Sequence, residues 1–489
     1  MLTALWLVPA LGGIAVGLAP RWASRWLGLG VALVALAVAV AMAIGFDPSH
    51  QGWQYSVDKP WISQYGIRYH MGVDGLSLWL LLLNAFLTVV ALLSAWRISR
   101  ARGFFALMLL LEATMAGVFL AADLLLFYVF WEAMLIPSFF LLWLWGEGDK
   151  ARAAAIKFVL YTLVGSLLML VGVIGEYVFA GGAEHGFDLA AFAAHPPSPT
   201  LQFGLFFLFG MAFAIKVPLF PFHSWLPDAY AAAPAPMLVT FAGVMGKTGA
   251  YAMLRILLPL FPHPIGWWNW NGVVPVLAVI AIAWGAIMAI TRPDMKDLVA
   301  WSSVSHMGFI VVGIFAFNQQ GQQGAVLQMV NHGLIIPALF LLVAWIAART
   351  GTRDRSILKD LAPKMPIMAG LFLVVTLAAL GLPGLNSFVG EFTTLLGAWQ
   401  FSPWLAVVGA VGLLLAPVYM LRLFQGIMYV GRGPQGAPAG GSTVRTDIAT
   451  SELLLMTPLI LLMFLLGLYP YLLTHAMDAL GYALSVPWK

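Results

Sequence analysis

The chain has 489 residues, of which 62% are hydrophobic and 9% are charged, whereas a soluble protein carries about 25% charged residues. One water-soluble core cannot bury so much apolar surface, and the formal net charge of +4 includes no concentrated basic face of the kind that binds nucleic acid. The chain contains no cysteine, which excludes disulfides, thiolate nucleophiles and cysteine-ligated iron–sulfur clusters. The composition therefore predicts a membrane protein without a redox cofactor of its own.

Apolar segments long enough to cross a bilayer recur along the whole chain. A transmembrane helix needs roughly 20 residues, which predicts about fourteen spans, near residues 2–19, 26–46, 75–96, 104–121, 124–145, 155–179, 203–226, 236–258, 271–290, 298–317, 324–348, 367–400, 405–428 and 451–470. We interpret the first segment as a span and not as a signal peptide, because Arg21 and Arg25 follow it instead of preceding it. The sequence thus predicts an all-α polytopic membrane protein.

The basic residues predict the orientation of these spans. With the N-terminus outside, Lys59, Arg68 and Lys489 are outer residues, and four more cations lie within spans. The other 17 of the 24 lysines and arginines fall on the inner side: Arg21, Arg25, Arg97, Arg100, Arg102, Lys150, Arg152, Lys157, Arg292, Lys296, Arg349, Arg353, Arg355, Lys359, Lys364, Arg432 and Arg445. Cytoplasmic loops of membrane proteins are enriched in lysine and arginine. The N-terminus is therefore expected outside, with inner loops at 97–103, 146–154, 291–297 and 349–366.

Two stretches do not read as spans. Residues 47–74 are rich in tryptophan and tyrosine and are interpreted as an outer loop at the membrane interface. Residues 431–447 (GRGPQGAPAGGSTVRTD) are interpreted as a flexible inner linker. With these boundaries we predict four regions, namely N-terminal helices with the outer loop, two five-helix units, and a linker with a C-terminal helix: 1–103, 104–258, 271–428 and 429–489.

Two of the predicted spans are interrupted. KVPLFP (216–221) breaks the seventh span and GLPGLNSFVG (381–390) breaks the twelfth, and an ionisable residue accompanies each break. Because the two broken spans are five apart, they run in opposite directions through the membrane. Inverted repeats with discontinuous helices are typical of transporters, whose working site lies near the middle of the bilayer. The sequence predicts two inverted five-helix repeats; the alternative is that proline and glycine merely kink two packed helices.

Five charged residues stand out inside the apolar segments: Glu112, Glu132, Lys216, Lys247 and Glu391. A charge at the centre of a bilayer costs roughly 2.5–3.5 kcal/mol on insertion scales, so each of them needs a partner or water. A glutamate–lysine pair that forms and separates can switch protons, since the pKa of a buried lysine responds strongly to a neighbouring carboxylate. The alternative is a static ion pair that fixes the packing of two helices.

Three histidines also lie within the predicted spans. His306 (SSVSHMG) and His332 (NHGLIIP) stand beside small and polar residues, and a histidine relays protons near neutral pH. The alternative for each is a hydrogen-bonded core histidine. His223 lies in the broken seventh span, where a pair with Asp228 would admit protons or cap a helix end. Arg255, near the end of its span, is interpreted as a side chain that extends towards the membrane surface.

Several motifs give the chain a family resemblance over nearly its full length. Together they resemble the antiporter-like, proton-pumping membrane subunits of respiratory complex I: VDGLSL (73–78), FYVFWEAMLIP (127–137), AFAIKVPLFPFHSWLPDA (212–229), SVSHMGF (303–309) and GLPGLNSFVGEF (381–392). The resemblance implies a proton-translocating subunit of NADH:quinone oxidoreductase that lies in a bacterial inner membrane and performs no redox chemistry. It implies that partner subunits hold the flavin, the iron–sulfur clusters and the quinone, and that the chain contacts sister antiporter-like subunits, other membrane-arm subunits and lipid, but no nucleic acid.

The resemblance also implies roles for individual residues. Glu132 and Lys216 would form the pumping pair, Lys247 would be the central lysine, and Glu391 the last ionisable site, at a position where sister subunits usually carry lysine. The family commonly has histidine after Pro-Asp-Ala, whereas this chain has Tyr230, so the resemblance does not define the inner proton entrance. Alternatives are a related cation/proton antiporter or membrane-bound hydrogenase subunit, or a structural scaffold with fixed ion pairs.

Overall fold

The structure is a computed structural model that describes residues 1–50, 52–263, 272–429 and 446–477. It consists mainly of helices. These are α1 (Ala4–Leu18), α2 (Ser24–Ile44), α3 (Gly75–Ser94), α4 (Ala101–Leu120), α5 (Leu124–Trp145), α6 (Ala151–Phe179), α7 (Gly182–His185), α8 (Leu189–Ala194), α9 (Pro199–Lys216), α10 (Trp225–Ala232), α11 (Ala235–Leu260), α12 (Val273–Thr291), α13 (Met295–Ile314), α14 (Gln319–Thr350), α15 (Pro366–Ala379), α16 (Asn386–Phe401), α17 (Pro403–Met428), α18 (Thr450–Leu468) and α19 (Tyr471–Met477).

The predicted class of a helical multi-pass membrane protein is confirmed. Twelve of the described helices are long and apolar enough to cross a membrane, and α1 and α15 are shorter apolar helices. The number fourteen and the two inverted repeats stay predictions, as do the four region boundaries. Most of the linker predicted at 431–447 lies outside the described residues.

The segment predicted as an outer loop contains a β-hairpin that the sequence analysis missed. Strands β1 (Gln54–Ile62) and β2 (Ile67–Val73) pair in antiparallel fashion. Gly66 closes the turn with φ 65°, a backbone conformation that glycine adopts without strain. The tryptophans and tyrosines of residues 47–74 favour an interfacial loop, and on that basis the sequence does not predict the two strands. The hairpin packs on the N-terminus, where the Tyr69 hydroxyl donates to Thr3 Oγ1 at 3.2 Å.

The loops predicted to be inner lie together at one end of the helices, which we call the basic face. Trp145 Nε1 donates to the Ser99 carbonyl at 2.7 Å, and Lys296 Nζ lies 2.8 Å from Glu147 Oε2. Arg353 Nε forms an ion pair with Asp294 Oδ2 at 3.1 Å. The opposite end carries β1 and β2, and we call it the hairpin face. Both names refer to positions within the protein and not to the two sides of the membrane.

Both predicted helix breaks are present. The seventh span stops at the end of α9, passes through a 3-10 turn at Phe222–Ser224 and continues as α10; the twelfth stops at the end of α15 and resumes as α16. The second break is shorter than the sequence motif indicated. Gly381 and Gly384, with φ 77° and 94°, form the break, and Asn386 already begins the next helix. Glu391 therefore lies in the second turn of a regular helix, with its carboxylate beside Gly381 of the break.

Two similar arrangements occur at opposite faces. At the hairpin face, Asp123 accepts a hydrogen bond at the start of α5 and forms an isolated β-bridge with Asp188. At the basic face, Asp294 caps α13 and forms an isolated β-bridge with Asp354. In each case the bridge joins the start of one span to the connection that follows the next span. This correspondence agrees with the predicted inverted repeats.

The helices differ greatly in how much of their surface is covered. Residues 237–254 of α11 are all buried, and most residues of α13 and α14 are buried, whereas only a minority of the residues of α2 and α18 are buried. Large apolar side chains such as Leu18, Ile44 and Leu468 point away from the protein. Exposed apolar residues of this kind suit contact with lipid. Polar residues on α11, α13 and α14 are therefore held in the interior, away from the lipid-facing surface.

Candidate functional site

Lys247 lies at the centre of the buried helix α11. A π-helical turn, Phe241–Met245, directly precedes it, and such turns often occur at functional sites. The Lys247 ammonium donates to the Ala242 carbonyl at 2.6 Å and lies 2.7 Å from His332 Nδ1. Both side chains are buried. A charged Lys247 requires His332 to accept at Nδ1, so a neutral His332 then carries its proton on Nε2.

A second hydrogen-bonded group surrounds Glu391 on α16. Glu391 Oε1 lies 2.7 Å from His306 Nδ1 and accepts from Gln328 Nε2 at 2.9 Å and from Ser387 Oγ at 3.2 Å. The Tyr419 hydroxyl lies 3.4 Å from His306 Nε2. Gln328, Ser387 and Tyr419 were not singled out from the sequence. The signal was available for two of them, because Gln328 and Ser387 each stand four residues, one helical turn, before His332 and Glu391.

The two groups meet at the histidines. The ring centroids of His306 and His332 are 5.7 Å apart, with the planes inclined by 57°. Lys247, His332, His306 and Glu391 thus follow one another through the protein, carried by α11, α14, α13 and α16, and we call them the buried line. All four were predicted separately from the sequence, and the structure brings them together. Because imidazole both accepts and donates, such a line can pass protons between a lysine and a carboxylate.

Lys216, at the end of α9, has different surroundings. Its ammonium lies 5.4 Å from the centroid of the Trp131 ring and 6.0 Å from that of Phe158, distances at which an aromatic face attracts a cation. Glu132 is half-buried and close enough to interact electrostatically with Lys216. Among the described residues no ion pair joins the two side chains. Glu132 and Lys216 are therefore near each other but do not form a direct ion pair.

Two buried glutamates lie away from these groups. Glu112 on α4 was predicted as a site residue, whereas Glu176 on α6 was missed. Within the described residues, neither carboxylate oxygen of either side chain has a hydrogen-bond partner. Glu176 lies near the end of its apolar segment, and for that reason it resembled an interfacial residue. Its position three residues before the end of the predicted span gave no local signal that it is buried.

Two interpretations from the sequence are wrong. Asp228 does not pair with His223: it forms an ion pair with Lys157 at 2.7 Å, while the buried His223 stacks on Phe220. The 3-10 turn and the start of α10 direct the two side chains to different neighbours. Arg255 extends to the hairpin face, but its guanidinium does not end in water.

The actual partner of Arg255 is an acid at the hairpin face. Arg255 forms an ion pair with Asp74, which caps α3, and its guanidinium lies 4.5 Å from the centroid of the Trp53 ring. The pair is largely buried, with side-chain exposures of 15% for Arg255 and 8% for Asp74. A nearby acid thus replaces the water that an extended arginine would seek. Within the described residues no group of three or more His, Cys, Asp or Glu could hold a metal ion.

Comparisons with known proteins agree with this geometry. Residues 121–416 match the family described as NADH:quinone oxidoreductase/Mrp antiporter, TM. The chain is 40% identical to NADH-quinone oxidoreductase subunit M of Rhodobacter capsulatus, with 88% of this chain and 84% of the relative covered. It is 39% identical to subunit M of Escherichia coli K12, with 86% and 82% covered.

Solved structures show the same similarity in three dimensions. A chain of respiratory complex I from Thermus thermophilus with bound NADH superposes with a TM-score of 0.89 at 33% identity, and 99% of each chain is covered. A chain of the Mrp complex from Dietzia shares the fold, with a TM-score of 0.85 at 24% identity over 99% of this chain and 97% of that one. The family model and the relatives bear out the resemblance drawn from the sequence motifs. The chain belongs to the NADH:quinone oxidoreductase/Mrp antiporter family of membrane subunits, and within it resembles subunit M.

Proposed function

We propose that this chain is a proton-translocating membrane subunit of an NADH:quinone oxidoreductase, which couples quinone reduction elsewhere in the complex to proton movement through its own buried side chains. The observation that carries the proposal is the buried line. Four titratable side chains on four helices stand in sequence in a membrane protein, with contacts of 2.7 Å at both ends of the line.

The buried line accounts for how a proton crosses the interior of the chain. A proton leaving the Lys247 ammonium moves onto His332 Nδ1, and His332 releases its Nε2 proton towards His306. His306 in turn delivers its Nδ1 proton to the Glu391 carboxylate. Each transfer leaves the next group able to accept, because imidazole exchanges one proton for another at its two nitrogens. Lys216 and Glu132 interact electrostatically. A change of charge on this pair would act on the Lys247 end of the line.

The chain itself would depend on partners for the driving reaction. Moving one charge against 100 mV requires roughly 2.3 kcal/mol, which redox chemistry in other subunits would provide. We propose that those subunits hold the flavin, the iron–sulfur clusters and the quinone site, and that sister antiporter-like subunits adjoin this chain in the membrane arm. The similarity to a complex I chain over 99% of the length supports that arrangement.

Orientation follows from the charge distribution. We propose that the basic face is cytoplasmic, with the N-terminus outside a bacterial inner membrane. The exposed residues Ser99 and Ser356 both lie at the basic face. Since the chain has no cysteine, Ser99→Cys and Ser356→Cys each introduce its only thiol. Labelling by an impermeant reagent is expected from the cytoplasmic side alone; labelling from outside reverses the orientation.

Proton pumping by the assembled complex in vesicles, measured relative to its quinone reductase rate, tests the function. Lys216→Ala and Glu132→Ala are expected to remove most of the pumping while the complex still assembles. Normal pumping by Lys216→Ala would exclude the proposed role of this lysine. Loss of assembly alone would favour a structural scaffold. Ser356→Ala, at the basic face and outside every buried group, is the control and is expected to pump normally.

A further inference from the structure

A polar cavity opens at the basic face between α6 and α10. Its volume is about 520 Å³, and since a water molecule occupies roughly 30 Å³ in the liquid, it has room for many of them. Three acidic and three basic side chains line it: Glu147, Asp149, Lys150, Lys157, Asp228 and Arg353. The cavity is thus a place where the aqueous phase reaches between two helices of the first half of the protein.

Polar contacts continue from this cavity to the break in the seventh span. Lys157 Nζ binds Asp228 Oδ2 at 2.7 Å and the Ser224 carbonyl at 2.9 Å. The Ser224 hydroxyl lies 2.9 Å from the Tyr161 hydroxyl. These contacts join α6 to the 3-10 turn that precedes α10. Hydrogen-bonding groups therefore reach the level of the helix break.

Two aromatic rings close the path at that level. Phe158 follows Lys157 on α6, and Trp225 begins α10; their ring centroids are 5.3 Å apart and both side chains are fully buried. The Lys216 ammonium lies 6.0 Å from the centroid of the Phe158 ring. An apolar layer one side chain thick thus stands between the polar cavity and a buried cation.

The two rings also contact the groups that a proton on Lys216 would affect. Trp225 Nε1 donates to the Ile215 carbonyl at 2.9 Å, next to Lys216 in the chain. The ring of Phe158 packs against that of Phe241 at 5.3 Å, within the π-helical turn that precedes Lys247. A movement of either ring is therefore coupled directly to the end of α9 or to α11.

We propose that Phe158 and Trp225 form an aromatic gate between the basic-face cavity and Lys216. Lys216 exchanges protons with the basic side only when the two rings separate and water enters between them. Apolar constrictions between polar compartments control passage in this way, because they stay dry until they widen. The gate rests on the proposed function, since it assigns Lys216 as the group that receives the proton, and it supplies the entrance that the sequence left undefined.

Thiol accessibility tests the gate without measuring pumping. In the assembled complex, Lys216→Cys and Ala153→Cys are made separately, and membrane vesicles are treated with a small charged methanethiosulfonate. The label is read on this subunit after its separation, because the chain has no other cysteine. Ala153 is exposed and lines the cavity, so its thiol should react quickly and identify vesicles that expose the basic face. The Lys216→Cys thiol should react at least roughly tenfold more slowly, equivalent to about 1.4 kcal/mol of barrier.

Removing a ring should abolish that difference. Phe158→Ala or Trp225→Ala, combined with Lys216→Cys, should raise the labelling rate towards that of the Ala153→Cys thiol. Phe158→Leu, which keeps an apolar side chain and disturbs packing least, should raise it by a smaller factor. The matched control is Phe372→Ala, which removes an equally buried ring that contacts Phe424 on α17, in the other half of the protein. It should leave the labelling rate unchanged.

Three outcomes would overturn the gate: fast labelling with both rings present, slow labelling after either ring is removed, or equal acceleration by Phe372→Ala. These outcomes are distinct from a failure of the proposed function, which would appear as normal pumping by Lys216→Ala whatever the labelling rates.

Discussion

The two halves of the protein hold their buried charges in different ways. In the second half, α12 to α17, the carboxylate of Glu391 makes three hydrogen bonds and connects through His306 and His332 to Lys247. In the first half, α4 to α11, the Lys216 ammonium lies against aromatic rings, and Glu132 is near it without an ion pair. A lysine and a glutamate are thus linked by two histidines across the halves, whereas within the first half they are held apart.

Direct ion pairs in the first half occur at its ends. Arg255 pairs with Asp74 at the hairpin face, and Lys157 pairs with Asp228 at the basic face. We infer that charges near the centre serve proton movement, while paired charges near the faces fix the positions of the helices. Substitutions should therefore affect pumping in the first group and stability in the second, and four experiments can break or sharpen that division.

The largest effect on pumping is expected from Lys247, where the two halves meet. Lys247→Met keeps most of the side-chain volume but leaves no titratable group on α11 to serve His332. Coupled pumping in vesicles should fall to the level of leak, with the complex still assembled. Thr248→Ala changes the next residue, also buried, whose hydroxyl donates to the Met245 carbonyl on the same helix, and it should pump normally. Pumping by Lys247→Met would place the proton route elsewhere.

Glu391 should be nearly as sensitive, and more informative about chemistry. Glu391→Gln preserves size and hydrogen bonding to Gln328 but removes titration, so pumping should be lost at unchanged assembly. Glu391→Asp keeps the acid and withdraws it from His306 by one methylene, roughly 1.5 Å, so part of the pumping should remain. Thr394→Ala, on the same helix and equally buried, is the control. Equal pumping by Gln and Glu at position 391 would remove this residue from the route.

The sequence was sufficient to find the members of the buried line but not their contacts. A charge inside an apolar segment is visible locally, and so Lys247 and Glu391 were identified without a structure. Their partners His332 and His306 are each 85 residues distant, and only the packing of α11, α13, α14 and α16 decides which histidine meets which charge. Glu176 was missed because depth within a helix cannot be read from its distance to the end of an apolar segment alone.

Stability should depend most on the pair at the hairpin face. Breaking a buried ion pair by removing one partner costs about 3–5 kcal/mol, because the other charge stays buried. Asp74→Asn retains a side chain that can cap α3 but leaves the guanidinium of Arg255 without its acid, so the assembled complex should melt at a lower temperature. Arg255→Met combined with Asp74→Asn should recover part of the loss. If Asp74→Asn melts at the same temperature as the wild type, the pair does not stabilise the protein.

The smallest effect is expected at an ion pair outside the spans, and it should depend on pH. His70 Nδ1 on β2 lies 2.8 Å from Asp188 Oδ2, where the chain enters α8. The hydrogen bond to Asp188 raises the pKa of His70 above its usual value, although partial burial opposes it. Burial pushes the pKa of Asp188 upwards, but hydrogen bonds from His70 and Ala191 outweigh it and hold that pKa below its usual value.

These shifts define the pH window in which the pair stabilises the hairpin face. The His70 contribution is complete below the ordinary histidine pKa and is lost as pH rises through the raised value. The Asp188 contribution is complete above the ordinary aspartate pKa and is lost as pH falls through the lowered value. Asp58 and Asp123 also act on His70, and both favour its charged form.

Amide hydrogen exchange measures the effect locally, because the Leu189 amide donates to the Ala122 carbonyl beside this pair. The ratio of exchange rates in His70→Gln and wild type, taken at each pH, cancels the intrinsic pH dependence of exchange. The ratio should exceed one at mildly acid pH. It should approach one as pH rises through the raised His70 pKa, because His70 in the wild type then loses its positive charge. A ratio that stays constant with pH would show that the contact is held by packing and not by charge.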